Sequence, residues 1–223
     1  MINVVRQRRW SVRVRWRLWC GGVCVTGLLI AAAACDKAVP QLPVVEIRWP
    51  RAESVTEGTV TLLEIGSVGC TVCQEFAVHT LSILDAAYVS RGILSFEYVE
   101  LPLSDTAFAD SVTALHRCAG GMKTAAAVHS ELIRKLQEQS PSSVLKNLDR
   151  ETQDCFADDF RGETTSGRSS AVANLGVQAT PSFVVGRHHR DGRMVGWLVT
   201  GLPRFRFLQD LIARADSAVA KSE

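Results

Sequence analysis

Residues 59–76 read TVTLLEIGSVGCTVCQEF. The stretch opens with an apolar run rich in β-branched residues, which predicts a strand over 59–65. It passes through Gly66 to Cys70 and Cys73, and the residues after Cys70 take up a helical period. Two cysteines at this spacing can close a small disulfide ring and so hold or release two electrons, which is the chemistry of thiol–disulfide exchange. A thiol at the start of a helix meets unpaired N–H groups and partial positive charge, which favour the thiolate. Zinc ribbons and chance produce the same spacing, so the rest of the chain must decide.

Beyond Cys73 the apolar positions Val72, Phe76, Leu81, Leu84 and Tyr88 fit one helical face up to about Ser90, where Arg91-Gly92 ends it. ILSFEYVELPL (93–103) reads as a strand parallel to the first, giving a β-α-β unit with the cysteine pair at its strand-to-helix turn. Residues 105–160 carry no strand signal and read as helices around 108–119, 122–139, 141–148 and 151–160. Pro141 fits a first helical turn capped by Ser140. A further helix is expected over about 167–175, before Gly176. VQATPSFVVG then leads into a strand, Asp191-Gly192 marks a hairpin, MVGWLVT (194–200) returns, and an amphipathic helix follows Gly201. Upstream, VVEIRW (44–49) has strand character. The order predicts an α/β protein of thioredoxin type, βαβ followed by ββα around one sheet, with a helical insert over about 105–175 between the halves.

The first 35 residues differ from the rest. They hold six arginines and no acidic residue, followed by an uncharged run from Leu18 to Ala34 that ends AAAAC at Cys35. This is the pattern of an export signal. Cys35 sits where a lipoprotein signal places its modified cysteine; an uncleaved membrane anchor and cleavage after an A-x-A site are the other outcomes. Residues 36–58 read as a tether with a short strand, and 59–223 as the folded domain. Without those arginines the formal charge of +2 becomes −4, so neither nucleic acid nor an anionic membrane surface is implied as a partner. Of seven cysteines, Cys70, Cys73, Cys118 and Cys155 fall in the folded part, an even number that suits two disulfides in an oxidising compartment.

These residues together resemble the DsbA-like thiol–disulfide oxidoreductases over roughly 59–215. The resemblance rests on EIGSVGCTVCQEF, on the insert between the sheet halves, on ATPSFVVG, and on HRCAGGMKTAAAVHSEL together with DCF. It implies that Cys70 is the exposed nucleophile and Cys73 the resolving thiol. Thr180 and Pro181 would form a cis-proline loop that docks an extended substrate beside Thr71 and Val72. It implies that Glu64 lies buried beneath Cys73 and takes its proton, against the alternative of a strand-end glutamate reaching solvent. It also implies a Cys118–Cys155 staple across the insert; two separate buried thiols and a four-cysteine zinc site are the other readings.

His79, His116, His129 and the pair His188-His189 are read as solvated or capping residues, with the last pair at the hairpin tip; Phe183 and Trp197 are read as core. The chain departs from the family in two places. Thr71-Val72 lacks the histidine that strong oxidants carry between their cysteines, and Val68-Gly69 replaces an aromatic residue, widening or flattening the groove. A potential between roughly −270 and −120 mV, the limits set by thioredoxin and DsbA, is therefore expected. The reading is an exported, periplasmic, membrane-tethered thiol:disulfide oxidoreductase that needs no metal or dissociable cofactor. Its partners would be substrate proteins with cysteine thiols or disulfides and a DsbB-like or VKOR-like membrane redox protein. A reductase or isomerase of the same fold, or a non-catalytic thioredoxin-like binding lipoprotein, are the alternatives.

Overall fold

The structure, a computed structural model, describes residues 42–49, 58–101, 106–118, 125–161, 171–172, 174–189 and 191–217. The expected export signal, the candidate lipid site Cys35 and most of the expected 167–175 helix lie outside them.

A five-stranded sheet forms the centre, with β1 (Val44–Arg48), β2 (Val60–Gly66), β3 (Leu94–Glu100), β4 (Ser182–His188) and β5 (Arg193–Thr200) in the order β1-β5-β4-β2-β3. β2 and β3 run parallel and every other pair is antiparallel. The parallel pair needs a crossover, which the helix after Cys70 supplies. The antiparallel β4–β5 pair needs only the turn at Asp191-Gly192, where Gly192 takes a φ of +77°. Strand-like 44–49 finds its place at the edge, with Val44 opposite Trp197 and Ile47 opposite Met194.

Alternation along the strands sends side chains to two cores. On one face Val60 and Leu62 of β2, Phe96 and Tyr98 of β3, and Phe183 and Val185 of β4 pack with the helices. On the other, Leu63, Ile65, Val99, Val184 and Met194 pack with Ile47 and Trp49, and with the partly buried Ala171, Leu175 and Val177. β2 is buried along its whole length. Each large apolar side chain taken out of water there contributes about 1.5–3 kcal/mol.

The helix after Cys70, α1, runs through α-helical Thr71–Glu75, π-helical Phe76–Leu81, α-helical Ser82–Leu84 and π-helical Asp85–Val89. The five-residue step from Phe76 to Leu81, both fully buried, fits the wider π turn. Ala77 O accepts a hydrogen bond from the Ser130 hydroxyl of a neighbouring helix at 2.9 Å, a side-chain intrusion of the kind that opens a helical ladder. Val72, read from its period as part of the apolar face, is instead 40% exposed; it sits in the first turn, beyond the core.

The insert holds α2 (Thr106–Cys118), α3 (Ala125–Glu138), α4 (Pro141–Lys146) and α5 (Arg150–Arg161). Ser140 caps α4 by accepting the Ser143 N–H at 3.3 Å, with Pro141 in the first turn. A disulfide joins Cys118 at the end of α2 to Cys155 in α5, with their Cα atoms 5.7 Å apart. The last helix, α6 (Phe205–Ser217), lays Leu208, Leu211, Ile212 and Ala215 on the same core as α1. Among the described residues no helix is long and apolar enough to cross a membrane.

Candidate active site

β2 ends at Gly66, and a tight turn, closed by Cys70 N–H to Ser67 O at 2.9 Å, delivers Cys70 to the start of α1. Cys70 is extended (φ −86°, ψ 113°) and acts as the helix N-cap through sulfur, its Sγ accepting the Cys73 N–H at 3.2 Å. The N-cap position normally belongs to an oxygen acceptor. The Cys70 thiol donates in turn to Thr180 O at 3.4 Å. The Thr180–Pro181 bond is cis. The loop that carries it is tied to the sheet by Gly201 N–H to Pro181 O at 2.8 Å and by the Ser182 hydroxyl to Ala179 O at 2.8 Å. Two segments 110 residues apart in sequence thus meet at one sulfur.

Cys70 is half-buried and Cys73 is buried; both are free thiols. Thr71 and Val72 are exposed beside Cys70, and a side chain added at Gly69 would meet nothing within 4 Å. The Cys73 thiol is pushed well up from its ordinary value, chiefly by burial, then by its contact with Cys70 and the charge of Glu64, while the Ser67 backbone pulls the other way. A thiol raised in this way stays protonated unless an acceptor lies close by.

Glu64 is fully buried on the helix-side face of β2, opposite Tyr98 in register. Burial raises its carboxyl well above the usual carboxylate range. Its Oε2 lies 3.3 Å from Nε2 of His129, which is also fully buried.

Here the histidine reading needs correction. His116, His129 and His188 are buried, not solvated. His116 of α2 and His129 of α3 stack with Tyr98, with ring centroids 4.2 Å (Tyr98–His116), 4.6 Å (Tyr98–His129) and 4.8 Å (His116–His129) apart. Burial drives the His116 pKa well down and that of His129 to about 3, so both rings are neutral. His188 is not at the hairpin tip but closes β4 on the opposite face, with Nε2 3.4 Å from Glu97 Oε1. Glu97 also accepts the Trp49 indole N–H at 2.7 Å. A signal for the first two was present: His129 falls in the apolar stripe Ala126, Ile133, Leu136, and His116 beside Val112 and Leu115.

Glu100 is a further residue that sequence reasoning missed. It is buried at the end of β3 and accepts the Val68 N–H with both oxygens, at 3.2 and 3.0 Å, and the Tyr98 hydroxyl. The Thr113 hydroxyl of α2 accepts the Glu100 N–H at 3.1 Å. Glu100 thereby anchors the turn before Cys70 to the sheet and to the insert. Burial raises its carboxyl, opposed by these hydrogen bonds. Among the described residues no group of three or more His, Cys, Asp or Glu side chains is placed to hold a metal ion.

Among curated proteins no relative matches the chain. Solved structures share its fold at low identity. Wolbachia pipientis α-DsbA1 superposes with a TM-score of 0.52 at 15% identity, covering 83% of this chain and 96% of its own. Reduced DsbA1 from Neisseria meningitidis gives 0.52 at 15% identity, with 83% and 97% covered. The oxidoreductase NmDsbA1 from N. meningitidis gives 0.52 at 12% identity, with 84% and 96% covered. The model of one family, described as Thioredoxin, matches residues 56–195. That span holds β2, the cysteine turn, the insert, the cis-proline loop and β4, and the chain belongs to this thioredoxin family, with the DsbA-like form of its fold.

Proposed function

We propose that the chain is an exported thiol:disulfide oxidoreductase that exchanges disulfides with substrate proteins through Cys70 and Cys73. The observation that carries this reading is the asymmetry of the pair. Cys70 is accessible at a helix start and touches the cis-proline loop, whereas Cys73 is buried above an acidic side chain. An oxidoreductase also stands among the proteins that share the fold.

In the reducing direction the Cys70 thiolate attacks one sulfur of a substrate disulfide, and the other substrate sulfur leaves with its electron pair. Cys73 then loses its proton toward Glu64 and attacks the Cys70 sulfur. The Cys70–Cys73 bond forms, the bond to substrate breaks, and the second substrate sulfur leaves as a thiolate. Substrate oxidation is the same path reversed. Thr180 and Pro181, with Thr71 and Val72 opposite, would seat the substrate chain. The role of Cys118–Cys155 would be structural. The leader supports a periplasmic protein, lipidated at Cys35 or held by its uncleaved segment, and recycled by a DsbB-like or VKOR-like membrane partner.

Non-reducing gels of two variants test the reading. Cys73→Ala should accumulate covalent complexes with substrate proteins, because nothing resolves the mixed disulfide, and Cys70→Ser should accumulate few. Equal trapping by both, or trapping by Cys70→Ser alone, would reverse or remove the assigned roles.

A further inference from the structure

We infer that His129 is the proton-holding partner of Glu64, so that Glu64 passes the Cys73 proton onward through its two carboxyl oxygens instead of storing it. The inference rests on the resolving role of Cys73 proposed above.

The geometry supports it at each position. Glu64 and His129 approach to 3.3 Å at Oε2 and Nε2, both side chains fully buried. The two are in close contact but not aligned as a hydrogen bond, and neither oxygen of Glu64 nor either ring nitrogen of His129 meets hydrogen-bond geometry with any group among the described residues. Unpartnered buried polar atoms are costly and call for a reason. The groups that face this pair come from every element packed around it: Cys73 of α1, Tyr98 and Glu100 of β3, and His116 of α2. Tyr98 is committed to Glu100 through its hydroxyl. His116 is committed through Nδ1, 2.9 Å from Val112 O; a carbonyl only accepts, so Nδ1 carries the hydrogen, and the His116 ring packs on Tyr98 and His129 while the close approach to Glu64 is made by His129. That leaves His129 as the base next to Glu64.

A carboxyl held protonated by burial has no net capacity for another proton. It can still transmit one. As the Cys73 thiol gives its proton to Oε1, Oε2 gives its own to His129 Nε2. Glu64 is neutral before and after. The products are a Cys73 thiolate and a His129 imidazolium, opposite charges formed together, so the buried site gains no net charge. Burial alone holds the imidazole far from protonation, so the imidazolium lasts only until the thiolate has been consumed in the new disulfide. The proton then leaves for the departing substrate thiolate or water. His129 never touches the reacting sulfurs and is a positioning residue in this scheme.

The test uses the full chain and oxidised glutathione. Reduced protein is mixed with it, samples are acid-quenched, and decay of the Cys70 mixed disulfide is followed from pH 7.5 to 5.5. In the wild-type protein the decay should change by less than about threefold, because the relay works with Glu64 protonated. In His129→Gln only ionised Glu64 can accept, and its fraction falls by up to tenfold per unit below its raised pKa, so decay should slow steadily as pH falls while the wild-type profile stays flat. Parallel profiles would overturn the inference. Mixtures of light and heavy water give a second readout on the wild-type protein, independent of whether the variant folds. Two protons in flight bend the plot of rate against deuterium fraction, and a straight line refutes the relay. If oxidised glutathione forms no mixed disulfide at Cys70, the proposed function fails and the inference with it. If the mixed disulfide forms and resolves with a straight plot, the inference alone fails.

Discussion

Replacing Cys118 and Cys155 together by alanine should lower the thermal midpoint by about 8–16 °C. The bridge spans a sequence separation of 37. On the chain-entropy treatment a loop of that length removes about 13 cal/mol/K from the unfolded chain, or about 4 kcal/mol at 25 °C. Cys155 is only half-buried and adds little, while the packing lost at the buried Cys118 would push the shift toward the upper end of that range. A domain of this size moves about 2–4 °C per kcal/mol, which gives the stated range. The loss should appear in one transition, because α2 is bonded to the sheet through Thr113 and Glu100 and cannot melt without disturbing β3. Scanning calorimetry of the oxidised wild-type and double-variant proteins at one pH and scan rate measures both quantities. A shift below about 4 °C would refute the entropic account. A separate low-temperature transition for the insert would refute its coupling to the sheet.

Glu100→Ala should destabilise the fold by about 2–5 kcal/mol in urea titrations, because it strands the buried Val68 N–H and the Tyr98 hydroxyl; a loss below 1 kcal/mol, on that same scale of roughly 1–3 per stranded group, would show that water replaces the carboxylate. Burial lowers the folded pKa of His129 to about 3, below its unfolded value near 6.5, so the unfolded chain binds the proton first as pH falls. Wild-type stability relative to His129→Gln should therefore drop from about pH 6.5 downward by about 1.4 kcal/mol per unit, reaching about 5 kcal/mol near pH 3; a difference that does not vary with pH would contradict the buried neutral ring. Glu64 works in the other direction. Its folded pKa is raised, so ionisation favours the unfolded chain once pH exceeds its ordinary value. Glu64→Gln should match the wild type near pH 4 and become the more stable protein as pH rises toward 7, and equal stabilities at pH 7 would argue against a buried carboxyl.

The fold was largely legible because its signals are local. β-branched runs bounded by glycine announce β2 and β4, Asp191-Gly192 announces the hairpin, and the order of strands and helices leaves few arrangements. Val44–Arg48 was recognised as strand-like, but its place beside β5 depends on a distant pairing that no local pattern encodes. The π turns of α1 were hidden for a related reason: a step of five residues looks like a flaw in a helical period until Ser130 is seen against Ala77 O. The histidines were misread because residue type was weighed above position. His116 and His129 lie on different helices and reach Tyr98 and Glu64 only once the insert is folded over the sheet. Glu100 carries no local signal beyond its place near the end of a strand, and its carboxyl supports the turn before Cys70 only once β3 lies beside β2.

The sulfur of Cys70 does two jobs with one set of lone pairs. It is the reacting atom proposed for exchange and also the acceptor that closes the first turn of α1 through the Cys73 amide. A sulfur bonded to another sulfur carries less negative charge and is the weaker acceptor, so each electron pair taken up or released retunes that amide. The Cys73 N–H is then a built-in reporter. Its proton resonance and its exchange with solvent deuterium should follow the oxidation state of the pair turnover by turnover, without any label on the chain.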